Sequence, residues 1–270
     1  MTEEQRDALD EKITVKEYYE ALKSFQNMEY FTVEFYLGFW RLVSKTLVDA
    51  LNYSHQHGEL SSSQKKALIT QLEKKEKDRR FLKNWRPISL VNVDVKIASK
   101  AIARRLEAVM PLLIPANQNG FIKGRSILDA VRTIDDVLEI GKIMSQSGIL
   151  LAVDFEKAFD SLNHEFLYQV LQKMGFGPNF PECIRTFYRN LSGCVLNNGF
   201  TTDIFFAKRG VRQGDPLSPL GVGTGNIARM TPARATARKT TVSPQKSRVK
   251  LNVVGRGSWV VGVGVGKCRG

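Results

Sequence analysis

Cysteine is scarce in this chain, and the few cysteines lie far apart. Cys183, Cys194 and Cys268 form no C-x-x-C pair and no other zinc-binding spacing. Disulfide-dense domains and zinc modules need closely patterned cysteines, so neither class is expected. A scattered, odd set fits a reducing compartment, and we therefore expect a protein of the nucleus or cytoplasm that is not secreted.

Long apolar runs and targeting signals are missing as well. No stretch reaches the roughly 18 consecutive apolar residues that a membrane-spanning helix needs. The first residues, MTEEQRDALDEK, are acidic and polar, and they resemble neither a signal peptide nor a transit peptide. We therefore expect no membrane partner.

Acidic residues are absent from the last fifty positions. Residues 221–270 contain ten Lys and Arg, nine Gly and no Asp or Glu, and they show no sustained periodicity. The whole chain has 40 basic and 27 acidic residues, a net charge of +13. Residues 1–220 hold 30 of the basic and all 27 of the acidic residues, so their net charge is only +3. A basic balance indicates a polyanionic partner. Most of this excess, however, lies in a tail whose composition predicts disorder.

Helical and strand patterns alternate over the first 220 residues. Thr14 and Glu17 have the spacing of a capping box, so a helix is predicted after them. A second helical pattern runs from Val33 to Tyr53, and the turn that ends it holds His55 and His57. We interpret these histidines as helix-terminal cations rather than metal ligands.

Strand patterns occupy three further segments. The apolar run Ala67 to Leu72 predicts a strand that leads into a basic hairpin. The segment Gly148 to Phe155, GILLAVDF, is a continuous apolar run that ends in a carboxylate, which is typical of a buried strand. Asn198-Gly199 between two apolar runs predicts a hairpin turn. A further helix is predicted that Asn92 or Asp94 caps and that Pro111 and Pro115 stop. With another helix over about residues 127–144, the sequence predicts a mixed α and β protein.

Four motifs follow one another in a fixed order. They read KNWRPISLVNVDVKIASKAIARRL (83–106), NQNGFIKGRSILDA (117–130), LAVDFEKAFDSL (151–162) and GVRQGDPLSPL (210–220). In this order they resemble the two fingers motifs, motif A and motif B of reverse transcriptases. Within them, the sequences SLVNVDVKI and RSILDA resemble those of the LINE-type enzymes of non-LTR retrotransposons. One such match could be accidental, whereas four in order are not.

This resemblance implies an α+β fold, an incomplete fingers-palm polymerase fold of the right-hand type. A helical N-terminal extension is expected at residues 1–60 and a fingers-like region at 61–147. A partial palm with motifs A and B and the fingers return is expected at 148–220. A basic, disordered tail would follow at 221–270.

The resemblance also assigns roles to the metal and triphosphate ligands. Asp154 would be the first catalytic carboxylate, and with the carbonyl of Phe155 it would hold Mg²⁺ for a two-metal nucleotidyl transfer. In isolation, an aspartate at a strand end is more often a helix cap or a turn residue. Arg86 would bind the incoming triphosphate. Arg79 is the first choice for a second basic group there, and Lys75 the second.

Further roles concern the sugar, the base and the template. Phe159 would be the steric gate that leaves no room for a ribose 2′-hydroxyl, and Gln213 would contact the incoming nucleotide and the template base. The basic side chains that would contact template phosphates are Lys123, Arg125, Lys74 and Arg80. The implied partners are an RNA template, a DNA primer and deoxynucleoside triphosphates. In the absence of the motifs, simpler explanations would hold. Arg86 would form a surface ion pair, Gln213 would be a turn side chain, and the basic residues would be a solvated run of charge.

One part of the family pattern is missing after motif B. No Tyr-x-Asp-Asp sequence occurs, and Asp135-Asp136 precedes motif A in a helical pattern, so it is not a substitute. One carboxylate cannot hold two cations about 3.5–4 Å apart. We therefore expect a reverse transcriptase domain truncated after motif B and inactive as a polymerase on its own. The alternatives are a non-catalytic fragment that binds RNA or an RNA–DNA duplex and a fragment that folds poorly.

Overall fold

A computed structural model describes residues 1–25, 31–145, 148–155, 157–220, 235–242 and 260–264. The helices are α1 (Glu3–Asp10), α2 (Val15–Lys23), α3 (Phe31–Gly38), α4 (Trp40–His57), α5 (Ser62–Lys65), α6 (Val93–Leu113), α7 (Ile127–Ile143), α8 (Ala158–Ser161), α9 (His164–Lys173) and α10 (Asn179–Tyr188). The strands are β1 (Lys66–Glu73), β2 (Trp85–Leu90), β3 (Gly148–Phe155), β4 (Ser192–Asn197), β5 (Phe200–Thr201), β6 (Phe205–Phe206), β7 (Ala235–Val242) and β8 (Val260–Gly264). The mixed α and β class is confirmed.

The first sheet has the strand order β2-β1-β4-β5, with β6 paired to β4. β1 and β2 are antiparallel, with Glu73 opposite Trp85, and the basic segment between them forms the hairpin loop. β1 runs parallel to β4 on its other side. Asn198 and Gly199 have φ of 49° and 83° and join β4 to β5, which confirms the predicted hairpin turn.

The second sheet has the order β7-β3-β8, and both outer strands are antiparallel to β3. The structure here differs from the predicted disorder of the tail, because residues 235–242 and 260–264 form strands. The strand β3 carries main-chain N–H and C=O groups along both of its edges, and these groups need hydrogen-bond partners. β7 and β8 supply them. The other tail residues lie outside the described ranges.

Helix α6 lies at the centre of a helical core. Its buried positions recur at helical spacing: Ile97, Ala98, Ala101, Ile102, Leu106, Val109 and Met110. α1 and α2 pack against it. Arg105 of α6 donates to both carboxylate oxygens of Glu17, at 2.5 and 2.8 Å, and to three main-chain carbonyls of residues 9–12. Burial acts to raise the pKa of Glu17, but the hydrogen bonds from Arg105 and Thr14 and the charge of Arg105 outweigh it, so the pKa is lowered.

The N-terminal helices test the local predictions directly. Thr14 and Glu17 form the expected capping box of α2. The interpretation of His55 as a helix-terminal cation is wrong, because its ring packs against Phe187 with its Nδ1 buried, and its Nε2 lies 3.4 Å from the Sγ atom of Cys183. Burial lowers the pKa of His55 to about 4, so the ring is neutral at pH 7. No helix in the described part of the chain has the length and hydropathy of a membrane span.

Candidate nucleotide and nucleic-acid site

Motif A begins on the central strand of the second sheet. Asp154 is the penultimate residue of β3, and in the strand register it lies opposite Thr236 of β7. The acid is therefore placed at the carboxyl end of a central strand, as the sequence predicts. The chain then turns through Lys157, which has a left-handed φ of 50°, into the short helix α8. The side chains of Asp154 and Phe155 lie outside the described part of the structure.

Motif B is joined to the residues that follow β3 by main-chain hydrogen bonds. The amide of Val211 donates to the carbonyl of Phe159 at 2.7 Å, and the amide of Gly210 donates to the carbonyl of Leu162 at 2.8 Å. His164 places its Nε2 2.6 Å from the carbonyl oxygen of Gly210. The candidate steric gate is thus attached to motif B through the backbone.

Gly210 is suited to this joint for two reasons. Its φ is +86°, a conformation that residues with a Cβ rarely adopt. A Cβ at this position would also lie 3.0 Å from the carbonyl oxygens of Phe159 and Asp160. The close approach of motif B to α8 therefore depends on the absence of a side chain.

Motif B is also joined to the first fingers motif. The amide of Ser89 in β2 donates to the carbonyl of Gln213 at 2.8 Å. A cleft of about 190 Å³ lies at this joint, and Pro87, Asp160, Gly210 and Gln213 are among the residues that line it. The structure therefore brings Gln213 to the strand that carries Arg86. Phe159 adjoins the cleft only through its neighbour Asp160, and none of the basic candidates lines it.

Beneath motif B lies a buried polar cluster that the sequence analysis missed. The guanidinium of Arg212 donates to the carbonyls of Lys65, at 3.1 Å, and Gln64, at 3.4 Å. The carboxylate of Asp215 accepts the amide of Leu217 at 3.0 Å. Burial raises the pKa of Asp215 and lowers the pKa of Arg212, and each charge opposes the shift of the other.

This cluster holds the loop that carries Gln213 against the end of α5, just before β1. Only 5% of Arg212 and 3% of Asp215 is exposed. Nε and Nη1 of Arg212 are buried without a hydrogen-bond partner among the described residues. The alternation of charged and small residues in RQGDP resembles that of an exposed turn, which is why sequence alone gave no signal of burial.

The triphosphate candidates lie on the hairpin of β1 and β2. Arg86 and Lys75 are exposed, and within the described ranges neither forms an ion pair. Arg79 is 74% exposed and bonded to Glu73 at 2.7 Å, and its carbonyl accepts the indole N–H of Trp85 at 2.8 Å. The arginine is thereby held beside the strand, with most of its guanidinium in solvent.

The other basic candidates differ in whether their charged groups are bonded to neighbouring residues or are open to solvent. Arg80 is 84% exposed and bonded to Asp78 at 2.8 Å, and the Nζ of Lys74 donates to the carbonyl of Lys83 at 2.7 Å. Lys123 is exposed in the loop before α7. Its charge is therefore open to solvent.

Arg125 has a different environment from the one expected of a template contact. Its Nη1 donates to the carbonyls of Pro115, at 2.5 Å, and Gln118, at 2.8 Å. Its Nη2 donates to the carbonyls of Pro111, at 3.0 Å, and Ile114, at 2.8 Å. These carbonyls belong to the end of α6 and the turn after it. Arg125 therefore holds the second fingers motif in shape, and its two terminal nitrogens are already occupied.

The remaining acids do not complete a metal site. Asp135 and Asp136 are exposed on α7 beside the buried Ile134, as expected of a solvated helix surface. The described residues contain no group of three or more His, Cys, Asp or Glu side chains that could hold a metal ion. Asp154, the carbonyl of Phe155 and the exposed Asp160 do not fit the donor set that two Mg²⁺ ions require. No metal-dependent step is therefore assigned to these residues.

Comparison with known proteins places the same motifs in one family. Residues 72–222 match the family model described as reverse transcriptase (RNA-dependent DNA polymerase). The transposon TX1 uncharacterized 149 kDa protein of Xenopus laevis is 36% identical over 224 residues, which are 81% of this chain and 17% of that protein.

Two further relatives are Pol polyproteins of R2 elements. The retrovirus-related Pol polyprotein from type-2 retrotransposable element R2DM of Drosophila melanogaster is 31% identical over 137 residues, 51% of this chain and 13% of that protein. The retrovirus-related Pol polyprotein from type-1 retrotransposable element R2 of Popillia japonica is 29% identical over 154 residues, 57% of this chain and 21% of that protein. The chain spans less than a quarter of the length of these relatives. The four motifs, the backbone joints between them and these similarities together show that the chain belongs to the reverse transcriptase family, in its non-LTR retrotransposon branch.

Proposed function

We propose that this chain is the part of an RNA-directed DNA polymerase that receives the incoming deoxynucleotide and the RNA template next to a DNA primer. The observation that carries the proposal is the convergence of three motifs at one cleft. Val211 of motif B is bonded to Phe159 at 2.7 Å, and Gln213 of motif B is bonded to Ser89 of the fingers strand at 2.8 Å. A nucleotide in this cleft would meet residues of all three motifs.

The charge arrangement supports a triphosphate at the outer end of the same strand. Arg86 and Ser89 lie three residues apart on β2, about 10 Å along the strand. That distance is of the order of the length of a nucleoside triphosphate. Because a guanidinium binds phosphate oxygens in a fork, Arg86 would bind the phosphates of a nucleotide whose base contacts Gln213. Arg79, or else Lys75, would add a second charge.

Template binding would depend on charge rather than on base sequence. Lys123 and the hairpin cations Lys74 and Arg80 would neutralise phosphates, which gives affinity that falls with salt. Arg125 would act indirectly, because it shapes the loop that presents Lys123.

We propose no catalysis by this chain alone. Reverse transcriptases use divalent metal ions, and Asp154 with the carbonyl of Phe155 would be the ligands that this chain offers to Mg²⁺. The sequence supplies no Tyr-x-Asp-Asp after motif B, and the described residues form no three-donor group. We therefore propose binding of RNA, or of an RNA–DNA duplex, without polymerisation by the chain alone.

Primer extension and RNA binding, measured on the same preparation, test this function. With a poly-rA template, an oligo-dT primer, dTTP and Mg²⁺, we expect no extension by the chain or by Asp154→Ala. Fluorescence anisotropy should show RNA binding that weakens steeply as salt increases. Extension that Asp154→Ala abolishes would refute the proposed inactivity, and an absence of salt-sensitive binding would refute the proposed function.

A further inference from the structure

His164 occupies a special place at the junction of motifs A and B. It is the first residue of α9, and its ring stacks on that of the buried Tyr188, with ring centres 5.2 Å apart and planes inclined by 25°. Its Nε2 lies 2.6 Å from the carbonyl oxygen of Gly210. A carbonyl only accepts hydrogen bonds, so Nε2 must carry the proton and act as donor. Burial lowers the pKa of His164, although the bond to Gly210 raises it, so the ring is neutral at pH 7.

This bond completes a set of three that holds the motif B loop in place. Gly210 donates to the carbonyl of Leu162, and its own carbonyl accepts from His164. The next residue, Val211, donates to the carbonyl of Phe159 at 2.7 Å. Both main-chain groups of Gly210 are therefore tied to the segment that carries Phe159. Removing the imidazole donor would leave the carbonyl of Gly210 without this bond and loosen the adjacent Val211 bond.

We infer that His164 is a positioning residue that fixes the spacing between Phe159 and Gln213 and thereby sets the sugar selectivity of the nucleotide site. The inference rests on the proposed function and on the role that the family resemblance gives to Phe159, which is to exclude a ribose 2′-hydroxyl. Exclusion by a ring is sensitive to small displacements, since shifts of about 1 Å change reaction and binding geometry strongly. His164 would act only through the backbone of motif B.

Two substitutions separate the donor from the ring. His164→Phe keeps the aromatic stacking on Tyr188 and removes the donor. His164→Gln removes the ring and offers an amide N–H near the position of Nε2. Thermal unfolding of both variants of the full chain shows whether either loses its fold. If the two variants lose the same stability, a difference between them in the two measurements below comes from the hydrogen-bond donor, which His164→Phe lacks and His164→Gln restores.

The first measurement is hydrogen exchange at the amides of Gly210 and Val211. His164→Phe should speed exchange at Val211 about fivefold, which corresponds to the loss of one ordinary hydrogen bond, and His164→Gln should restore most of the protection. Equal exchange in His164→Phe and the wild type would overturn the positioning role. This result does not depend on nucleotide binding.

The second measurement is the ratio of Kd values for UTP and dUTP, which differ only in the 2′-hydroxyl, with template-primer and Mg²⁺ present. His164→Phe should lower the preference for dUTP about fivefold, and His164→Gln should recover it. An unchanged ratio, despite faster exchange at Val211, would overturn the link to selectivity. A wild-type chain that binds neither nucleotide would refute the proposed function and the selectivity claim with it, while the exchange comparison would still decide the positioning role.

Discussion

Gly210 lies so close to Asp160 that a Cβ at position 210 would be 3.0 Å from both the α carbon and the carbonyl oxygen of Asp160. This contact joins motif B to the end of motif A. It also makes the position intolerant of any side chain, because the atoms that a Cβ would meet belong to the backbone and cannot rotate away.

Substitution of this glycine should therefore lower the free energy of unfolding by more than the left-handed backbone conformation alone would. Gly210→Ala should lower the free energy of unfolding by about 2–4 kcal/mol, through a left-handed φ and steric overlap. Gly124→Ala is the matched control: Gly124 has a φ of +81° but no atom within 4 Å of its Cβ position. That variant should lose only about 1 kcal/mol in urea unfolding. Equal losses for the two variants would show that the contact with Asp160 is unimportant.

The partly buried ion pair between Arg105 and Glu17 should stabilise the packing of the N-terminal helices. Arg105 is 10% exposed and Glu17 is 32% exposed, and Arg105→Met would remove the arginine donors from Glu17 and from three carbonyls. We expect a loss of about 2–3 kcal/mol in urea unfolding, less than for a fully buried pair. Lys45→Met removes a pair with Asp49 in which the lysine is 87% exposed, and it should cost less than about 0.5 kcal/mol. A small effect of Arg105→Met would contradict the role assigned to α1 and α2.

Burial of His55 predicts a dependence of stability on pH. The ordinary pKa of 6.5 applies to the unfolded chain, whereas burial lowers it to about 4 in the fold. Between these values the unfolded chain binds more protons, so the free energy of unfolding should decrease as pH falls from 6.5 towards 4, by up to about 3 kcal/mol.

The pH dependence is measured as the difference between the wild type and His55→Phe, which keeps an aromatic ring beside Phe187. The subtraction removes the contributions of His164 and of the carboxylates. The difference should grow steadily over this pH range. A difference that stays constant from pH 7 to pH 4 would mean that His55 is not buried in neutral form.

Arg125 and Lys123, two residues apart in the second fingers motif, should have separable effects. Arg125→Gln leaves the four carbonyls at the end of α6 without a guanidinium and should lower the unfolding free energy by about 1–3 kcal/mol. Lys123→Gln should leave stability within about 0.5 kcal/mol and weaken RNA binding. If Lys123→Gln destabilises the chain and Arg125→Gln does not, the roles are reversed.

The sequence alone predicts the structural elements that neighbouring residues determine. The capping box of Thr14, the strand from Gly148 to Phe155 and the turn at Asn198 all depend on neighbouring residues, and the structure has each of them. The family resemblance assigns Arg86 and Gln213 to the same nucleotide, and in the structure the carbonyl of Gln213 accepts from Ser89 of the strand that carries Arg86. Periodicity carries no such long-range information.

The rest depends on which segments meet in space. The carbonyls that Arg125 binds and the burial of Arg212 follow from loop geometry, and residue type alone does not reveal it. His55 has the sequence position of a helix-terminal cation, yet α10 covers it. The tail segments Ala235–Val242 and Val260–Gly264 have an unremarkable pattern, and their pairing becomes apparent only beside the open edges of β3.

The salt dependence of RNA binding tests the central claim, that the exposed cations of the β1–β2 hairpin bind phosphates. The logarithm of the binding constant for a single-stranded RNA should fall linearly with the logarithm of salt concentration, and Arg80→Gln should reduce the slope by about 0.7, one phosphate contact. Arg6→Gln, which removes an arginine of α1 paired with Glu3 as Arg80 is paired with Asp78, should leave the slope unchanged. An Arg80→Gln slope equal to that of the wild type would contradict the account.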